Sequence, residues 1–152
     1  MADVTLDALR EVLAESLGEL RKGVSGLGVE QLNARPAGGD TNSIAVIVTH
    51  ALGSTRSWLS LAIGATQPDR DRPAEFRAVA DDAFAAWTKG SIAGCLGLLD
   101  GAMWDPARRV TPNWITPVET RTAAYAAAHA LSHLGEHVGH LHMTLELLRG
   151  GA

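Results

Sequence analysis

A long helical pattern near the end of the chain places four of the six histidines on one side of a single helix. At about 100° per residue, His129, His133, His137 and His140 fall at roughly 0°, 40°, 80° and 20° around the axis, whereas His142 falls about 220° round. A buried stripe of imidazoles is costly unless each ring nitrogen has a partner, and a divalent cation bound by the neutral rings offsets that cost. The stripe therefore predicts a helix that lies against other elements and presents metal-binding groups to them.

The hydrophobic periodicity of the whole chain predicts four main helices. They run from Thr5 to about Lys22, from about Asn42 to Ile63, from about Ala78 to Ala102, and from Thr116 to about Arg149. The start of the fourth helix is predicted by Thr116-Pro117-Val118-Glu119, because Thr followed three residues later by Glu is a capping box and Pro suits the first helical position. Four amphipathic helices in 152 residues predict an all-α protein, a four-helix bundle formed by one domain spanning residues 1–152.

The connections between these helices are rich in helix breakers and polar residues. A brief helix is expected at Val29–Asn33, and the segment Met103–Ile115 is expected to be irregular. The segment Ala65–Arg77 mixes acidic and basic side chains, among them Arg70 and Glu75, and is interpreted as a solvated loop. Alternating β-branched residues are sparse, so no sheet is predicted.

Composition and charge exclude several classes of function. The net charge of −4 and the pI of about 5.8 argue against nucleic acid as the main partner, because phosphate binding needs clustered positive charge. No apolar run is long enough to span a membrane, and the first residues lack the features of a signal peptide, so a cytoplasmic protein is expected. The single cysteine, Cys95, fits a reducing compartment and is expected to be a packed core thiol without nucleophilic character.

Two of the striped histidines have the spacing of a metal-binding pair. His133 and His137 are four residues apart, so their rings are neighbours on the helix surface and can bind one ion. His50 stands alone in the apolar second helix, and we expect it to supply a third ligand across the bundle, although an isolated histidine there is also typical of an ordinary core residue. Three imidazoles with one open position are typical of a catalytic zinc site, and Zn²⁺ or Ni²⁺ suits these ligands.

Two further residues on the same stripe are candidates for a catalytic role. Glu136 falls at about −20°, where it is expected to orient a ligand or act as a base, with a solvated helix glutamate as the alternative. His140 is expected to act as a base or as a fourth ligand, and His129 to line the pocket.

The pattern His129-x-x-x-His133-x-x-x-His137-x-Gly139-His140 resembles the last-helix signature of the DinB-like (DinB/YfiT-like) family of small metal-binding four-helix proteins. In that family the three histidines are often followed by x-Gly-Gln. The stretch Arg35–Ser43, followed by an apolar turn and His50, resembles the entry of the family's second helix, where a proline loop and a Ser cap lead to the first ligand. The departure lies at His140, where relatives commonly carry Gln, which leaves open a fourth ligand or a changed pocket.

This resemblance implies a bundle that binds a divalent metal through His50, His133 and His137 and that often forms homodimers. In several branches it also implies transfer of a low-molecular-weight thiol, either bacillithiol or mycothiol, and this chain is expected to transfer such a thiol to a small electrophilic molecule. One alternative is a metal-dependent hydrolase with a metal-activated water and with Glu136 or His140 as base. Another is a non-catalytic metal-binding protein of a stress response.

Overall fold

A computed structural model describes residues 4–115 and 118–150. Within these residues the chain forms six helices, one 3₁₀ turn and a two-stranded sheet. In chain order they are α1 (Val4–Val24), α2 (Val29–Asn33), the 3₁₀ turn Gly38–Asp40, α3 (Ile44–Ile63), α4 (Arg72–Glu75), α5 (Phe84–Gly97), β1 (Arg109–Val110), β2 (Arg121–Thr122) and α6 (Ala123–Gly150).

The four long helices form a closed ring, which confirms the all-α bundle. Helix α3 packs most extensively against α6, α6 also packs against α1, and α5 completes the ring by contacting both α1 and α3. The interior is filled by large aliphatic side chains from these helices, each of which contributes about 1.5–3 kcal/mol on burial. Those that are almost completely buried include Leu13, Leu17, Leu20, Leu59, Leu134 and Leu141.

Helix α3 is fixed at both ends, and this sets the position of everything it carries. At its start the Ser43 hydroxyl accepts a hydrogen bond from the Val46 N–H at 3.3 Å. At its end Gly64 adopts φ +76°, and the guanidinium of Arg108 donates to the carbonyls of Ala62 at 2.7 Å and Leu61 at 3.2 Å. Arg108 thus adds hydrogen bonds to carbonyls at the end of the helix, where the regular intrahelical donors run out.

Helix α5 is shorter than the predicted segment from Ala78 to Ala102. The cause lies in a tertiary contact, because the Asn33 side chain accepts from the Ala80 N–H at 2.8 Å and donates to the Ala80 carbonyl at 2.9 Å. This pair of bonds holds Ala80 outside a helix, and α5 begins only at Phe84.

Helix α6 begins at Ala123, so the predicted start at Thr116 is wrong. Thr116 and Pro117 lie outside the described residues, but Val118 to Thr122 are described and are not helical. Glu119, the predicted capping glutamate, instead forms an ion pair with Arg121. The hydrogen bond at the observed start of α6 comes from Thr122, whose hydroxyl accepts from the Tyr125 N–H at 3.1 Å. The reason is the small antiparallel sheet, which pairs Arg121 and Thr122 with β1 and which the sequence did not predict.

In the part of the chain covered by residues 4–115 and 118–150, no helix combines the length and the apolar character that crossing a bilayer requires.

Candidate metal centre

Three histidines from the two most closely packed helices meet at one point. His50 lies on α3, and His133 and His137 lie one turn apart on α6. The Nε2 atom of His133 is 3.2 Å from Nε2 of His50 and 3.2 Å from Nε2 of His137. One ligand nitrogen from each residue lies within 4.8 Å of the other two, and this is the one such group found among the described residues.

Two of the three separations between these nitrogens match what a metal ion requires. Two imidazole nitrogens bound at about 2.0–2.1 Å to a tetrahedral Zn²⁺ lie about 3.3–3.4 Å apart. The two separations of 3.2 Å are close to that value. The three histidines therefore fit a divalent ion that binds imidazole.

The outer nitrogens of two of these rings face carboxylates, which favours a proton on each of these nitrogens. His50 Nδ1 is 2.8 Å from Glu75 Oε2, and His133 Nδ1 is 3.4 Å from Glu136 Oε2. A proton on each Nδ1 leaves a lone pair on each Nε2. Two lone pairs 3.2 Å apart repel each other, and a cation between them removes the repulsion. The donor chemistry thus agrees with the distances.

We call the three histidines the triad, and the environment of two of them, His133 and His137, favours neutral rings. His50 is 4% exposed. Burial, and then the neighbouring His50, lowers the pKa of His133. Burial, followed by the proximity of His133 and His50, lowers the pKa of His137 to about 3. Neutral imidazoles are the form that binds metal, so His133 and His137 are able to bind a cation near pH 7.

An ion pair behind His50 was missed by the sequence analysis. The Arg70 side chain is 5% exposed and that of Glu75 is 9% exposed, so the interpretation of this segment as a solvated loop is wrong for these two residues. Arg70 Nε is 2.7 Å from Glu75 Oε1, and Arg70 Nη2 is 2.8 Å from Oε2. Burial acts to raise the pKa of Glu75, but the hydrogen bonds from His50 and Arg70 outweigh it and the pKa is lowered.

The other residues of the stripe lie around the triad and outside its centre. The Glu136 side chain is 63% exposed and faces His133 Nδ1, and His140 Nδ1 is 3.4 Å from His137 Nδ1. His129 stacks on His133 with ring centroids 5.6 Å apart, and burial lowers its pKa. The catalytic roles expected for Glu136 and His140 stay predictions, and both residues lie beside a member of the triad.

Two cavities of different character adjoin the triad. The larger, of about 400 Å³, is lined by His50 and His133, and the smaller, of about 290 Å³, by His50 and His137. Besides these, the walls of the larger cavity include Trp58, Arg70, Arg72, Trp114, Glu119, Arg121, Tyr125 and His129. Those of the smaller cavity include Val46, Ile47, Phe76, His140, Met143, Thr144 and Leu147. His50 therefore lies at the junction of a cationic, aromatic cavity and a mostly apolar one.

Comparisons with known proteins agree with the fold and with the sequence resemblance. The family model described as DinB superfamily matches residues 6–141. A solved structure, a conserved protein from Enterococcus faecalis, is similar to this chain with a TM-score of 0.73 and 18% identity, over 99% of each chain. At that identity the likeness shows the fold alone. No curated protein matches the chain.

Proposed function

The chain belongs to the DinB superfamily, and on that premise we propose that it is a divalent-metal-dependent enzyme that transfers a low-molecular-weight thiol to a small electrophilic molecule. The metal would be held by His50, His133 and His137, and Zn²⁺ and Ni²⁺ are the ions that suit these ligands.

The observation that carries this proposal is the presence of two cavities at one triad. A transfer reaction has to bring two substrates together, whereas hydrolysis of one substrate needs a single cavity and water. The larger cavity contacts His133 and the smaller one contacts His137, and both contact His50. Two molecules bound in these cavities would meet at the triad with their reacting atoms close together, which favours reaction by lowering its entropic cost.

The walls of the two cavities suit different partners. Among the residues that line the larger cavity, Arg72 lies over the Phe76 ring at 4.9 Å, and Arg121 lies over the Tyr125 ring at 5.1 Å and pairs with Glu119. These guanidinium groups can bind the polar and anionic parts of a thiol cosubstrate. The smaller cavity, with side chains such as Met143, can bind the apolar body of the electrophile.

The reaction balances without any redox partner. A divalent ion at the triad would supply positive charge that lowers the pKa of the cosubstrate thiol. With a haloarene as electrophile, the sulfur forms a bond to the ring carbon, the carbon–halogen bond breaks, and halide leaves with the bonding pair. The thiol proton passes to solvent, so thiol and haloarene give thioether, halide and H⁺.

The nucleophile in this proposal has to come from a cosubstrate. Cys95 is the single cysteine of the chain, it is buried, and burial raises its pKa to about 11. A thiol with such a pKa is almost entirely protonated at neutral pH and reacts poorly. The described structure thus agrees with the expectation that Cys95 is a packed core residue.

The contacts of the two candidate bases favour transfer over hydrolysis. In a hydrolase, Glu136 or His140 would activate water. Instead, the carboxylate of Glu136 faces Nδ1 of His133, and His140 faces Nδ1 of His137. Both groups are therefore placed to orient imidazoles. Hydrolysis and a non-catalytic metal-binding role are the alternatives that the conjugation assay distinguishes from transfer.

The test is thiol conjugation by the metal-loaded protein. Purified protein loaded with Zn²⁺ or Ni²⁺ is mixed with mycothiol or bacillithiol and a haloarene, and the thioether is measured by mass spectrometry. We expect conjugate above the uncatalysed rate in wild type and in the His142→Ala variant, and none above it in His133→Ala. Arg72→Gln is expected to raise the KM for the thiol about tenfold, the loss of roughly one charged hydrogen bond, with little change in the KM for the haloarene.

Three outcomes contradict this proposal. Turnover of ester or amide substrates without any thiol would favour the hydrolase. Metal binding with no conjugation across several thiols and electrophiles would favour the non-catalytic role. Equal conjugation by wild type and His133→Ala would remove the triad from the reaction. Homodimer formation and the absence of nucleic-acid partners stay predictions, and sedimentation of the purified protein tests the first of them.

A further inference from the structure

We propose that the buried Arg70–Glu75 ion pair orients the ring of His50 for metal binding, and that the absence of a side chain at Gly53 leaves room for the Glu75 carboxylate. This inference rests on the proposed metal site. It concerns metal binding alone and is independent of which reaction the protein catalyses.

The contact between Glu75 and His50 is short, buried and directional. Glu75 Oε2 is 2.8 Å from His50 Nδ1, and the two side chains are 9% and 4% exposed. Arg70 Nη2 is farther from the same nitrogen, at 3.5 Å, so the carboxylate decides the proton position. With its Nδ1–H donated to Glu75, His50 presents the Nε2 lone pair toward His133 and His137. A carboxylate behind a metal-binding histidine fixes the tautomer and the ring orientation in this way.

Arg70 gives the carboxylate its own fixed position. Its two nitrogens contact both oxygens of Glu75, at 2.7 and 2.8 Å, in the two-point geometry that is specific to arginine and carboxylates. Arg70 and Glu75 lie five residues apart, before and at the end of α4, while His50 lies on α3. The short segment around α4 therefore places the ordered carboxylate of Glu75 against the middle of α3, beside His50.

Gly53 provides the independent observation that this arrangement is built into α3. Gly53 lies three residues after His50 on the same helix, under the carboxylate of Glu75. A methyl group at Gly53 would collide with Glu75 Oε1 and would lie 3.0 Å from its Cδ. A side chain at this position would therefore have to displace the carboxylate, so the glycine leaves the room that Glu75 occupies.

The other two histidines of the triad have weaker partners at their outer nitrogens than His50 has. His137 Nδ1 faces His140, and His133 Nδ1 faces the exposed carboxylate of Glu136 at the longer distance of 3.4 Å. His50 is thus the one member of the triad that a buried charged group orients, among the residues that the structure describes. Removal of the Glu75 carboxylate should accordingly change metal affinity mainly through its effect on His50.

The experiment is a double-mutant cycle on metal affinity, measured by competition between the protein and a chromogenic chelator for Zn²⁺. In the wild-type background, Glu75→Gln is expected to weaken Zn²⁺ binding about 10- to 100-fold, the usual effect of removing such a partner. In the His50→Ala background, Glu75→Gln is expected to have no further effect, because the residue it acts through is absent. A residue with a merely structural role would weaken binding equally in both backgrounds.

Gly53→Ala keeps the inference testable if Glu75→Gln fails to fold. This variant retains both charges and displaces only the carboxylate, so it is expected to weaken Zn²⁺ binding at least several-fold, again only when His50 is present. Gly135→Ala on α6 is the matched control, because a methyl group there meets nothing within 4 Å. Asp69→Asn, an exposed acid near Arg70, is the control for charge.

The inference is overturned if Glu75→Gln and Gly53→Ala bind Zn²⁺ as wild type does. It is equally overturned if both lose affinity to the same extent with and without His50. If the variants lose Zn²⁺ affinity as expected but the conjugation assay fails, the result counts against thiol transfer and leaves the positioning role intact. The two proposals can therefore fail separately.

Discussion

Replacing any one of His50, His133 and His137 with alanine is expected to weaken Zn²⁺ binding by about 100- to 1000-fold. Binding of zinc by four protein ligands is worth about 10–16 kcal/mol, so each ligand accounts for about 2.5–4 kcal/mol. The three nitrogens are already within 4.8 Å of one another, so little ordering is needed when the ion binds and the loss of one ligand should be felt in full. Chelator competition at fixed pH measures the affinity of each variant.

Two other histidines on the same helix serve as controls for this result. The His142 side chain is 49% exposed and lies 3.7 Å from Glu19, away from the triad. His129 stacks on His133 without contributing a nitrogen to the cluster. His142→Ala is expected to leave affinity unchanged. His129→Ala is expected to change it less than tenfold, below the range of about 10- to 100-fold for residues that hydrogen-bond a ligand, because His129 stacks on His133. If His129→Ala costs as much as His133→Ala, the whole stripe binds metal and the triad is the wrong unit.

The metal-free protein is expected to lose stability as the pH falls from 6.5 toward 5. Burial lowers the pKa of His137 to about 3 in the folded state, from an unfolded value of 6.5. Below pH 6.5 the unfolded chain therefore takes up a proton that the folded chain does not, and acid favours unfolding. One proton corresponds to about 1.4 kcal/mol per pH unit, and partial exposure of the ring reduces this to about 1 kcal/mol. Urea unfolding in the presence of a chelator gives the stability at each pH.

The contribution of His137 to this slope can be isolated by substitution. His133 and His129, whose pKa values burial also lowers, add to the slope with the same sign. His137→Gln is expected to reduce the slope of the unfolding free energy against pH by the contribution of about one proton, whereas His142→Gln should leave the slope as in wild type. Stability that is constant between pH 6.5 and 5 would contradict the account of buried, neutral imidazoles. Carboxylates such as Glu75, whose pKa is lowered from 4.5, act below this range.

The sequence predicted those parts of the site that follow from helix geometry. His133 and His137 are one helical turn apart, so their pairing depends on local structure alone. His50 stands alone in an apolar helix and enters the ligand set through the family resemblance, and the packing of α3 against α6 brings it to the pair. The family model then confirmed the resemblance on which the ligand set had been based.

The parts that the sequence did not predict depend on contacts between distant segments. Nothing in the charged segment around α4 distinguishes Arg70 and Glu75 from the exposed acids and bases beside them. The signal that was available is the need of a buried imidazole for an acceptor, which predicts a hydrogen-bond partner near His50 without identifying it. In the same way, the start of α6 depends on pairing between β1 and β2, and the start of α5 on the bonds between Asn33 and Ala80.

The most direct test of the metal centre is a titration of the metal-free protein with Co²⁺, followed by visible absorption. Imidazole ligands give bound Co²⁺ characteristic bands, so the spectrum reports both the number of sites and the kind of ligand. We expect bands that saturate at about one ion per chain and that change when a low-molecular-weight thiol is added. In the triple variant His50→Ala, His133→Ala, His137→Ala these bands should be absent. The same bands and the same stoichiometry in wild type and the triple variant would contradict the metal centre, and with it the proposed function.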